Sequence, residues 1–208
     1  MISVEEIQKY LPQYLSAPSL EALFEDLKKF PDNLDKRLYS QNLPNSEIIY
    51  QGDGLSGMLV SNLPDMEWRE MPTMVLSNTC DINPENKRYF PSRIVYAPIL
   101  KLEKYRRMLI SEFVETGKKQ MDDINAHIAH IRHQEITQIV YLPKSGNLTE
   151  DSIVFLDRLN NCPADLFEVG QIKAKKLFSL SNYGLYMFLI KLSIHFTRIQ
   201  ERVDRSLN

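Results

Sequence analysis

Ser77, Thr79, Cys80 and Asp81 follow directly on an apolar run, Thr73-Met74-Val75-Leu76, and form the one group in which several chemically competent side chains converge. A strand end that opens onto a loop is where a rigid scaffold presents a site, so these four residues are the expected binding group. A thiolate at Cys80 would need a general base within hydrogen-bond reach. The four histidines, His127, His130, His133 and His195, all fall in stretches with helical periodicity and at no fixed relation to it. The plainer expectation is that Thr79 and Asp81 hydrogen-bond the turn while Cys80 fills the core as a small hydrophobe.

Metal chemistry finds little support. His127, His130 and His133 recur at three-residue intervals, so a pair could share an ion, but the third drifts 60° around a helix turning 100° per residue and no carboxylate stands four positions after His127. An exposed polar helix edge is the expected account. Cys80 and Cys162 lie 82 positions apart with no ligand spacing around either, so neither a zinc site nor any other cofactor is expected, and reduced thiols are the default.

The charge balance bounds the partners. A formal net charge of -2 and a pI near 6.1 argue against gripping duplex nucleic acid by bulk electrostatics. Seven Lys and Arg residues gather in 171–208, which reads first as a solvated helix face. The N-terminus lacks the basic start and apolar core of a signal peptide, and no apolar run approaches membrane-spanning length. A cytoplasmic protein with no membrane association is expected.

The elements that must position the group are legible as periodicities. Ser3 and Glu6 make a capping-box pattern for a helix over 3–15, and Leu20, Leu23, Phe24 and Leu27 share a helical face over 19–30. Asp32 to Tyr39 adds a further turn or two. Strand patterns follow at 48–50, 57–60, 73–77, 94–99, 136–142 and 152–156, with a strand or turn at 177–179. Between the fourth and fifth, apolar residues from Leu102 to Ile131 recur at three- and four-residue intervals, which two helices or one helix kinked at Gly117 would satisfy. Cys162-Pro163 reads as loop, and Ser181 caps a closing helix whose apolar face runs from Leu185 to Val203. With no repeat, linker or low-complexity tract, 1–208 is expected to be a single domain.

Several of these pieces resemble the MazF/PemK toxins, small ribonucleases of toxin–antitoxin pairs. The resemblance rests on the turn Gly52-Asp53, the pair Met71-Pro72, the strand ending Leu76-Ser77-Asn78, the strand ending Ala97-Pro98-Ile99, and Leu156-Asp157-Arg158-Leu159 before a C-terminal helix. It covers about half of the chain. What it implies is an α+β fold: an SH3-like β-barrel of the MazF/PemK type from 46–100 and 136–180. To this the chain adds an N-terminal helical cap (1–45), a helical insertion (101–135) and a long C-terminal helix (181–208). The ribonucleases carry Arg before the first Pro and Thr or Ser after the later one. Here Met71 and Ile99 stand in those places, and neither can stabilise a phosphorane oxygen or move a proton.

Two functional expectations follow. One is a diverged member that acts by protein binding, with an antitoxin-like or regulatory protein as partner, in a bacterial toxin–antitoxin or phage-defence context, where a homodimer is also an expectation. The alternative is a metal-independent endoribonuclease with RNA as partner and relocated catalytic residues. Arg69, two positions before Met71 on the same strand face, would supply the cation, and Asp53 would assist proton transfer.

Overall fold

In Met74-Val75-Leu76 and in Val95-Tyr96-Ala97 every consecutive side chain is apolar, which a strand accommodates only when both of its faces are covered. The computed structural model describes residues 16–197 apart from 63, 65, 66, 87, 88, 115, 116, 118, 119 and 168–170. It shows that double coverage. Seven antiparallel strands are β1 (Gly54–Ser61), β2 (Trp68–Val75), β3 (Arg93–Lys101), β4 (Ile139–Leu142), β5 (Ser152–Phe155), β6 (Asn160–Pro163) and β7 (Lys176–Phe178), in the order β4-β5-β3-β2-β1-β7 with β6 also on β3. One edge of β3 carries β2; the other carries β6 along its first half and β5 along its second.

The sheet curls into a half-barrel. Gly57, at φ +70°, sits in a bulge between Leu55 and Met58 where an L side chain would be strained, and bulges of this kind bend a strand and tighten its twist. The Tyr96 hydroxyl donates to the Leu59 carbonyl at 2.6 Å, and the Ser61 amide donates to Asn160 Oδ1 at 3.0 Å, so side chains tie β1 back to β3 and β6 across the concave face.

Alternation then divides the apolar residues between two cores. Val75, Ile94, Tyr96 and Cys162 join Leu55, Met58 and Val60 on the concave side. Met74, Ala97, Ile99, Val154 and Phe178 face the helices. Those helices are α1 (Ala17–Leu27), α2 (Leu34–Arg37), α4 (Leu102–Leu109), α5 (Met121–Arg132) and α7 (Asn182–Thr197), while the short α3 (Thr79–Ile82) and α6 (Ile172–Lys175) flank the concave side. Ser16 caps α1, its side chain accepting from the Ser19 amide, and Ser181 Oγ accepts from the Gly184 amide at 3.1 Å to start α7. Gly184 is required there by contact: a Cβ would lie 2.2 Å from the Leu38 carbonyl oxygen.

Several elements differ from the sequence expectation. Ile48-Ile49-Tyr50 is irregular instead of a strand, because its backbone serves other partners: Ile48 O takes Lys176 Nζ and Tyr50 N donates to Asp53 Oδ2. Residues 160–163 form a strand where a loop was expected, since pairing with β3 supplies bonds that local sequence does not announce. The insertion resolves into α4, continued by a π-helical turn (Ile110–Val114), and a separate α5. The expected helix over 3–15 and the end of the closing helix lie outside the described residues. Among the described residues no helix is long and apolar enough to cross a membrane.

Candidate functional site

The residues expected at the site mostly build the loop that carries it. Ser77 Oγ accepts from the Val95 amide at 2.7 Å and donates to the Arg93 carbonyl at 3.4 Å, prolonging the β2–β3 pairing by one side chain. Thr79 Oγ1 accepts from the Gln51 amide at 2.9 Å, and Gln51 Nε2 returns to the Leu76 carbonyl at 2.7 Å, so the 50–53 turn and the 76–82 segment are laced together. Asn78, which the sequence reading left out of the group, caps α3 by accepting from the Cys80 amide at 2.9 Å. Cys80 and Asp81 are exposed. Cys80 therefore does not fill the core, and Ile82, on the opposite side of the single helical turn, does so instead.

No histidine is brought to Cys80. His127 and Tyr105 hydroxyl lie 3.1 Å apart, and His130 and His133 both face Glu135, His130 in direct contact and His133 at 3.9 Å. His127 and His130 are on α5, His133 caps its C-terminal end and His195 is on α7, helices that pack on the other face of the sheet. Among the described residues no histidine is positioned as a base for Cys80. Among the described residues no three His, Cys, Asp or Glu side chains are grouped to hold a metal ion.

The two catalytic candidates lie apart. Gly54 pairs with Met74 and Val60 with Arg69, which puts Asp53 and Arg69 at opposite ends of the β1–β2 hairpin, roughly 15–20 Å along the strands. Arg69 is exposed and ion-paired to Glu67 at 2.7 Å. Asp53 is fully buried: its Oδ2 takes Lys176 Nζ at 2.9 Å and the Tyr50 amide at 2.9 Å. Burial pushes its carboxyl above the usual carboxylate range, against the pull of the Lys176 ammonium. Lys176 Nζ also donates to the carbonyls of Ile48 (2.6 Å) and Leu43 (3.3 Å), so the pair fastens the 43–53 segment to β7. Met71 lies against the concave core, and Ile99 is buried in the core under the helices. The two positions that the ribonuclease resemblance matches to a catalytic pair thus face opposite sides of the sheet.

What the fold does assemble is a half-open cleft of about 600 Å³ at the 82–92 end of the half-barrel. Its apolar wall comes from Ile48, Ile49, Ile82, Phe90, Phe167 and Ile172, and Glu47, Glu85, Asp165, Asn83 and Asn86 supply polar groups. Ile49 and Ile82 belong to the concave core, and Phe167 and Ile172 pack against it, so the cleft is an unfilled continuation of that core. Asn86 Nδ2 donates to the Cys80 carbonyl at 2.5 Å, which fixes the start of the 83–92 loop against α3. Beyond it Phe90 is 85% exposed and Tyr89 105%. Two adjacent aromatics held in water are unusual for a residue type that normally buries most of its area.

No family model or curated protein matches this sequence.

Sequence reasoning located the loop and missed the cleft. Its signal was Tyr89-Phe90-Pro91, an aromatic pair between two strands with no apolar periodicity to explain it. The remaining wall, from Ile48, Phe167 and Ile172, comes from segments whose nearness only the tertiary structure supplies.

Proposed function

We propose that this protein is a diverged MazF/PemK-like module that acts by holding another polypeptide, in a bacterial toxin–antitoxin or phage-defence setting. The observation that carries the reading is the apolar cleft, continuous with the concave core and flanked by the exposed Tyr89 and Phe90. Aromatic anchors beside an apolar pocket are the usual makings of a binding hot spot. Each ring would remove about 150–250 Å² from water, worth several kcal/mol at ~25 cal/mol per Å² before the cost of association. Catalysis by Arg69 and Asp53 would require groups at opposite ends of a hairpin, one of them buried in an ion pair. The curled antiparallel sheet supports the SH3-like scaffold that the resemblance implies, and the helices on its convex side are the chain's additions to it.

The test sets binding against cleavage. The purified chain is mixed with the polypeptide encoded beside it, and Phe90→Ala and Tyr89→Ala, both at exposed rings, are expected to weaken complex formation at least about tenfold in calorimetry while leaving the thermal unfolding midpoint nearly unchanged. RNA incubated with the same samples is expected to stay intact. Cleavage that disappears on Arg69→Ala would establish the nuclease instead.

A further inference from the structure

Resting on the reading of the cleft as a polypeptide site, we infer that its occupant is an amphipathic α-helix of the partner, and not an added β-strand. Its apolar side chains, at i, i+3 or i+4, and i+7, would lie against the wall. Backbone hydrogen bonds decide between the two modes, because a polypeptide that enters an apolar cleft takes its own N–H and C=O groups out of water. An extended segment meets that demand by pairing with a strand edge. None of the described residues that line the cleft belongs to a strand: its walls are the irregular 47–49 segment, the end of α3 and the loop after it, the short turn Ala164–Leu166 with Phe167, and the start of α6. The backbone of these walls is also directed inward. Ile48 N donates to Ser46 Oγ at 3.1 Å while its carbonyl takes Lys176 Nζ, Glu85 N donates to Asn83 Oδ1 at 3.0 Å, and Ala164 N donates to the Ser92 carbonyl at 2.9 Å. Ile82 N and Asn86 N close local turns on the Asn78 and Asn83 carbonyls at 3.3 and 3.0 Å. These groups offer no ladder to a guest strand. A helix arrives with its N–H and C=O groups paired within itself and needs from the site only apolar area for one face. The cleft supplies that area, since Ile49 and Ile82 continue the concave core into it.

A phage-displayed library of random peptides, each about four helical turns long, is selected on the full chain. Clones that bind the Phe90→Ala variant equally well are discarded, so that those kept depend on the cleft. The kept peptides are synthesised, titrated against the full chain by fluorescence anisotropy, and followed by circular dichroism. Their apolar residues are expected at three- and four-residue spacing, and helical ellipticity is expected to rise on binding. Gly at two polar positions of the tightest binder is expected to weaken it about tenfold relative to Ala at the same positions, because the helix must then be formed from a looser chain. Strict alternation of apolar residues, no gain of helicity, or equal binding of the Gly and Ala peptides overturns the helical occupant and leaves the cleft a polypeptide site. Recovery of no Phe90-dependent peptide also overturns it. The partner titration of the previous section then judges polypeptide binding independently, because it does not depend on the conformation of what is bound.

Discussion

Two buried lysines show how differently one residue type is used. Lys176 meets a carboxylate, and removing that partner leaves an uncompensated charge at a site with no exposure. Asp53→Asn is therefore expected to cost about 3–5 kcal/mol in urea denaturation, and Asp53→Leu with Lys176→Leu together to cost less than the single change. Were the single change neutral, the pair would not be what holds 43–53 to β7. Lys191, on α7, is held by two carbonyls: Nζ donates to Gln134 O at 2.6 Å and Ile136 O at 2.8 Å. Burial pushes its ammonium down from 10.5 to about 8. The folded state then releases this proton before the unfolded chain does, so between pH about 8 and 10.5 the unfolded state binds more protons and stability rises with pH. Against Lys191→Met, the wild type should gain about 1–3 kcal/mol across that window, the lower part reflecting the two carbonyls that favour the charged form. A difference between the two proteins that stays flat with pH would show that Lys191 does not titrate there.

At the scale of elements, side chains complete what backbone pairing leaves open. Gln134, at φ +61°, places its amide against the free edge of β4: Oε1 accepts from the Tyr141 amide at 3.1 Å and Nε2 donates to the Tyr141 carbonyl at 2.6 Å. One side chain thereby takes the place of a neighbouring strand and blunts an edge that would otherwise invite pairing. Gln134→Gly relieves the backbone but exposes that edge, and light scattering on warming is expected to show earlier aggregation than for the wild type. The junction of α2 and α7 depends on bare backbone contact at Gly184. Gly184→Ala must move the Leu38 carbonyl, and a loss of about 2–3 kcal/mol in chemical denaturation is expected. An unchanged midpoint would mean that α7 shifts freely across α2.

For the whole molecule, the two cores differ in how completely they are filled. Phe188 is fully buried under the helices, whereas Phe167 only flanks the concave core and lines the cleft. Phe188→Ala is expected to cost about 3–5 kcal/mol, and Phe167→Ala under about 1.5 kcal/mol while impairing binding. The strands at 54–61, 73–75, 93–101 and 152–155 were legible because β-branched and apolar runs bounded by Gly, Pro and Asn leave the backbone few alternatives. The cap at Ser181 and the break near Gly117 were legible for similar local reasons, whereas the helix expected from residue 19 begins at Ala17 with Ser16 as its cap. Strand β6 was not, because Asn160-Asn161-Cys162-Pro163 becomes extended only against β3. By itself the sequence determined an antiparallel α+β chain with helices at both flanks, since periodicity and turn chemistry act between near neighbours. Tertiary structure alone decided which side chains share the cleft. It buried Asp53 beside Lys176, parted Arg69 from it, turned Cys80 outward, and gathered Ile48, Ile82, Phe90, Phe167 and Ile172 around one cleft, because proximity across more than a hundred residues depends on how a sheet curls.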